Sequence, residues 1–274
     1  MLIEYGFRIG IETYQPTPVL ARLDVHPERR QDITFERNLS LSGRDAALPQ
    51  LDLYGNLSRR FTLYPGVTAI ELRGSILDSG LYERQLDHQG ALAVDALPPE
   101  ILCYLVASRY CETDLLSPMA WQLFGHLSEG AARVRAVADF VHGRLTFGYR
   151  FARDTRTANE ALNEGVGVCR DFAHLTIALC RCLNIPARYV NGYLGDIGVP
   201  ANPDPMDFSA WAEVYLEGGW YTVDARHNHP RIGRIVLARG RDAMDVPMIH
   251  TFGPHILKEF SVITEEVRAQ RQAA

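Results

Sequence analysis

The stretch Gly167-Val168-Cys169-Arg170-Asp171-Phe172-Ala173-His174 places one cysteine where a loop turns into an apolar helix. The run from Phe172 to Leu179 predicts that the helix continues, and Gly165 and Gly167 ahead of it can take positive φ angles. A thiol in the first turn sits at the positive end of the helix dipole. That position favours the thiolate, which is the form that acts as a nucleophile. Asp171 in the same turn complements the dipole. His174 lies five residues past Cys169, about 140° around the helix, and reads as a hydrogen-bonded structural histidine. Pro186 ends the helix, because the residue before a proline is pushed out of helical geometry.

Strand patterns follow downstream at 187–192, 209–216 and 220–224, and Glu217-Gly218-Gly219 forms the turn between the last two. Upstream, Thr157-Ala158-Asn159-Glu160 reads as a capping box opening a short helix. Helical spacing is expected over 101–110, 118–126 and 131–145, the last with the stripe Val134, Val137, Ala138, Val141 and Leu145. Ahead of Pro98 the pattern is different. Residues 2–14 alternate apolar and polar positions, and strand-like runs recur at 19–25, 33–41, 58–63 and 67–76. Pro, Gly and Asn turn signals separate these runs. Short strands at this spacing suggest a β-sandwich. The expected division is a β-sandwich domain over 1–95, an α+β domain over 96–265 in which a cysteine-bearing helix packs on an antiparallel sheet, and a frayed tail over 266–274.

Composition sets the outer bounds. With 274 residues, 47% hydrophobic and 22% charged, the chain reads as an ordinary globular protein. A net charge of −5 with no dominant basic patch argues against a nucleic-acid partner. The start Met1-Leu2-Ile3-Glu4-Tyr5 lacks a signal-peptide pattern, and no apolar run is long enough to span a bilayer. The five cysteines, Cys103, Cys111, Cys169, Cys180 and Cys182, fit neither a disulfide framework nor a zinc signature. A cytoplasmic protein without a membrane partner, metal or cofactor is therefore expected. Nothing in the sequence sets its oligomeric state.

A cysteine hydrolase or acyltransferase needs a thiolate, a base, and a group that orients the base. Cys169 is the candidate for the first and Asp224, closing a strand, for the third. The ordered segments GVCRDFAHL, IPARYVNGY and AWAEVYLEGGWYTVDAR resemble the transglutaminase-like superfamily of papain-fold cysteine enzymes, in its bacterial branch. The region around Leu51-Asp52-Leu53-Tyr54-Gly55-Asn56 is similar to the β-sandwich that often precedes the catalytic domain there. The resemblance implies a Cys-His-Asp triad, with Cys169 as nucleophile and Asp224 as the orienting acid. It also implies a peptide or protein substrate attacked through a thioester, with hydrolysis favoured over cross-linking. The family histidine stands two residues before the tryptophan of the AW motif. In this chain that position is Ser209.

A serine hydroxyl is no general base near neutral pH. Two expectations follow, an enzyme with another base or a pseudoenzyme that keeps the cleft for peptide or protein binding. His227, in Asp224-Ala225-Arg226-His227, is the candidate substitute base. Trp211 and Tyr149 are candidate substrate contacts, with Asp224 expected to pair with Arg226, Arg188 or Ser209. His227 and His229 alone make a weak metal signal. The basic clusters Arg231–Arg234 and Arg239–Arg241 read as solvated surface or as ion pairs with nearby acids.

Overall fold

The computed structural model describes residues 1–128 and 130–267. The chain begins with a long strand β1 (Leu2–Thr13), then β2 (Thr17–Ala21), β3 (Ile33–Glu36), β4 (Ser40–Leu41), β5 (Arg44–Asp45), β6 (Gln50–Leu51), β7 (Leu57–Leu63) and β8 (Gly66–Leu77). Alternation dictates what β1 buries. Ile3, Tyr5, Phe7, Ile9 and Ile11 face inward, and opposite them on β8 lie Ile76, Gly74, Leu72, Ile70 and Thr68. The predicted strands over 19–25 and 33–41 are shorter or broken, and Leu23, Val25 and Leu39 are buried from irregular backbone.

The helical layer follows: α1 (Thr113–Phe124), α2 (Ala131–Arg144), β9 (Thr146–Phe147), α3 (Ala158–Glu164), β10 (Val166–Gly167) and α4 (Cys169–Cys182). The expected capping box opens α3. The Thr157 hydroxyl accepts from the Glu160 N–H, and the Glu160 carboxylate accepts from the Thr157 N–H. The helix expected over 101–110 is instead a 3₁₀ turn at Pro99–Tyr104 followed by irregular chain. Tertiary partners take the backbone groups that an α-helix would have used. Tyr110 N–H donates to Asp242, and the Val106 carbonyl accepts from Arg181.

The chain then forms β11 (Ala187–Tyr193), β12 (Ser209–Leu216), β13 (Gly219–Val223), β14 (Ile235–Gly240), β15 (Ile249–Thr251) and β16 (Ile256–Glu266). An antiparallel sheet runs β13-β12-β11-β14. One face of it carries α4, whose residues from Asp171 to Cys182 are all buried, as an apolar helix wrapped by α1, α2, α3 and a sheet must be. Tyr193, Ile235 and Leu237 of the same sheet join the core of the N-terminal strands. Two sheets share that core, β16-β1-β8-β4-β5 with β3 also on β8, and β15-β2-β7-β6. Both recruit a strand from the far end of the chain, since β16 pairs with β1 and β15 with β2. These two strands fall within the segment grouped by sequence with the second domain. Of the expected tail, Glu266 ends β16 and Val267 N–H donates to the Leu2 carbonyl. Residues 268–274 lie outside the described residues.

Candidate active site

The nucleophile's position is set locally. Gly165 closes α3 with φ +70°, the left-handed value expected of it. Gly167 needs no such angle; it is required by close approach instead. A Cβ there would lie 2.6 Å from the Asp171 Cβ. With that space open, the Asp171 carboxylate accepts the Val168 N–H at 2.8 Å and Arg156 Nη1 at 3.0 Å. The first-turn N–H groups of Cys169 and Arg170 have no acceptor within the helix.

Cys169 is half-buried and free of disulfide bonding. Burial pushes its thiol up to about 11, against the pull of the Arg226 guanidinium and the Ala210 N–H, while Asp207 and Asp224 act in the same sense as burial. The helix terminus therefore does not leave a resting thiolate near neutral pH, as its position alone had suggested.

Ser209 opens β12, opposite Gly192 of β11. Its hydroxyl is buried without a hydrogen-bond partner. Gly192 is tightly confined, since a Cβ would meet the Ile235 carbonyl oxygen at 2.1 Å and the Trp211 ring at 3.0 Å. Trp211 is a correction to the sequence reading. It is 1% exposed, packs with Val190 and Val236, and lies under the Arg234 guanidinium at 4.6 Å, so it offers no surface to a substrate.

Asp224 follows β13 directly. Its Oδ2 lies 2.8 Å from Nδ1 of His227 and 2.7 Å from Nη2 of Arg234, and its Oδ1 accepts the N–H groups of Arg226 and His227. Of the three partners expected, only Arg226 reaches Asp224, through its backbone; Arg188 pairs with Glu213. Burial alone would raise the Asp224 carboxyl, but the charge of Arg234 and the hydrogen bonds from His227 and Arg234 hold it far below the usual range. An ionised carboxylate only accepts hydrogen bonds. The proton of His227 therefore sits on Nδ1, leaving Nε2 as the basic nitrogen. Burial, joined by the charges of Arg226 and Arg231, lowers the His227 pKa below its ordinary value despite Asp224, so the ring is neutral at pH 7.

A cavity of about 90 Å³ brings Ser209 and His227 together, with Tyr149, Asp207, Arg226 and Arg231 in the same wall. Cys169 is set against Ala210, the residue after Ser209, and feels the charges of Arg226, Asp207 and Asp224. Tyr149, 40% exposed, packs edge-on against Phe147. His174 stands apart, stacked on Tyr110 with Nε2 accepting the Ala243 N–H. No group of three or more His, Cys, Asp or Glu residues suited to a metal occurs among the described residues.

The sequence reading placed Arg234 in a basic cluster and missed its place on Asp224. Arg234 is buried, bonded to Asp224 and Glu83, and its neighbour Arg231 is buried on Asp196. The ion-pair reading of these clusters therefore holds and the solvated-surface reading does not. Nothing short-range could signal this, because Glu83 lies 151 residues from Arg234 in sequence.

A cysteine at the head of a buried helix, packed on an antiparallel sheet that ends in an aspartate, defines a papain-like α+β domain. Residues 119–225 match the model of the Transglutaminase-like superfamily, which covers the helices and strands that carry Cys169 and Asp224. The chain is similar to the uncharacterized protein ML0607 of Mycobacterium leprae, 32% identical over 114 residues, or 40% of each chain. The match thus spans well under half of that relative's length. The crystal structure of a candidate cysteine protease from Cytophaga hutchinsonii superposes with a TM-score of 0.82 at 25% identity, covering 98% of this chain and 92% of that one. The likeness extends through the N-terminal sheets. No helix among the described residues is long and apolar enough to cross a membrane.

Proposed function

We propose that this protein is a cysteine peptidase or amidase in which Cys169 is the nucleophile and the His227–Asp224 pair moves the proton. Nδ1 of His227 rests 2.8 Å from Asp224 in the same cavity wall as Ser209, and this observation carries the reading. Asp224 thus orients an imidazole that comes from three residues further along the chain instead of from the head of β12. Ser209, smaller than histidine, leaves that imidazole its room.

The step follows from the protonation states. Nε2 of His227 takes the proton from the Cys169 thiol as sulfur attacks the amide carbon. First-turn N–H groups of α4 face the developing oxyanion. The imidazolium returns the proton to the leaving amine as the C–N bond breaks. Water then attacks the thioester, giving a carboxylic acid and the free thiol. Asp224 stays ionised throughout and stabilises the imidazolium. A peptide or protein is the substrate, no cofactor enters, and a cytoplasmic setting suits the free cysteines.

Hydrolysis of an internally quenched peptide library tests the assignment. Cys169→Ala should be inactive, and His227→Ala should lose about a thousandfold in kcat. Adding Ser209→His to His227→Ala should restore part of the loss. A His227→Ala enzyme within threefold of wild type would place the base elsewhere. One observation favours the pseudoenzyme reading, namely a thiol raised to about 11 beside an aspartate already neutralised by Arg234. On that reading peptides bind equally well to wild type and Cys169→Ala and are not cleaved.

A further inference from the structure

The three arginines following Asp224 are not equivalent. Arg231 pairs with Asp196 at 3.5 Å and donates to the Gly195 carbonyl. Arg234 is neutralised by Asp224 and Glu83. Arg226 has no carboxylate within 4.0 Å among the described residues. Its guanidinium is held instead over the Phe147 ring at 3.8 Å, in the cavity wall beside Ser209 and His227. A guanidinium stacked on an aromatic face keeps its five in-plane N–H donors at its edge, and the hydrogen bond that Arg226 shares with the Tyr149 hydroxyl leaves donors to spare. Those donors match the two oxygens of a carboxylate.

We infer that Arg226 is the carboxylate anchor of this site, and that the substrate placed beside Cys169 carries a carboxylate next to the bond attacked. The inference rests on the peptidase reading and names its substrate class. The carboxylate has two sources, the C-terminal α-carboxylate of a peptide or an Asp or Glu side chain. The acids sharing the cavity permit this. Asp196 is matched by Arg231, and Asp204 sits exposed at the rim. Asp207 is the resident competitor. Burial raises its carboxyl above the ordinary range, so it accepts a proton more readily than a surface aspartate when a second carboxylate arrives.

The test uses twin peptides of one cleaved sequence. One pair ends in a free carboxylate or a carboxamide, and the other has Glu or Gln beside the cleaved bond. In the wild type, kcat/KM should favour the acid twin of one pair by about tenfold or more, and the pair affected identifies the source. Arg226→Gln should bring that ratio close to one, Arg226→Lys should keep part of it, and Asp207→Asn should widen it. The ratio discriminates because a role of Arg226 confined to the thiol would slow both twins alike. A wild-type ratio near one for both pairs, or a ratio unchanged in Arg226→Gln, overturns the inference while leaving the peptidase reading intact. If no peptide is cleaved, that reading has failed, and calorimetry of the same twins on Cys169→Ala decides the anchor. Tighter binding of an acid twin, lost in Cys169→Ala/Arg226→Gln, supports it, and equal binding overturns it.

Discussion

Asp171 lies in the first turn of the Cys169 helix and Asp224 at the end of the sheet, both with buried side chains, and their carboxyls shift in opposite directions. The Asp171 carboxyl is raised by burial despite Arg156 and the Val168 N–H, whereas that of Asp224 is driven far down. The count of donors explains the difference. Oδ1 of Asp171 is buried with no hydrogen-bond partner, while both oxygens of Asp224 are held, one by two backbone N–H groups and the other by His227 and Arg234. Desolvation taxes each carboxylate, and only a full set of donors reverses it. The lesson is chemical. Asp171 serves the helix start and can tolerate incomplete pairing, whereas Asp224 must stay ionised for His227 to keep its proton on Nδ1.

The largest expected effect breaks the Asp224 side. Arg234→Leu leaves a buried carboxylate without its cation, and urea unfolding should show a loss of about 3–5 kcal/mol. A loss under about 1 kcal/mol would mean that the backbone N–H groups alone carry Asp224 and that the donor count is the wrong explanation. Next is the Asp171 side. Asp171→Ala removes the acceptor of the Val168 N–H and one partner of Arg156, for an expected loss of about 2 kcal/mol.

The smallest effect, and the sharpest on the comparison, is in pH dependence. The folded pKa of Asp224 lies below its unfolded value, so its stabilisation is present above about pH 4 and is lost as pH falls further. Asp171 has the opposite sign. Its raised folded pKa means the folded state binds the proton more readily, which offsets part of the acid loss. Unfolding free energies between about pH 5 and pH 2, which brackets the ordinary carboxyl range, should fall less steeply in Asp224→Asn than in wild type, and more steeply in Asp171→Asn. Parallel slopes in all three proteins would remove the distinction between the two acids.

What could be read from the sequence divides along the same line. The α4 boundary, the Thr157 capping box, the alternation of β1 and the order of Cys169, Ser209 and Asp224 all rest on residues a few positions apart or on one periodic face. The errors came where distant groups intervened. The stretch 101–110 loses its helix to Asp242 and Arg181, and Trp211 is sealed by Arg234. Gly167 was rightly singled out but for the wrong property, since the reason is the close approach of the Asp171 side chain, which leaves no room for a Cβ.

By itself the sequence determined that a cysteine heads an apolar helix beside an antiparallel sheet, behind a β-rich N-terminal region, and that a serine stands two residues before Trp211. Short-range geometry suffices for that, because caps, turns and periodic faces are decided within a few residues. Only the tertiary structure decided that His227 and Arg234 converge on Asp224, that Arg226 stacks on Phe147 and not on a carboxylate, and that β15 and β16 return to complete the N-terminal sheets. Those outcomes depend on which charges must be neutralised once buried and which strand edges must be paired, and both are settled by partners far apart in the chain.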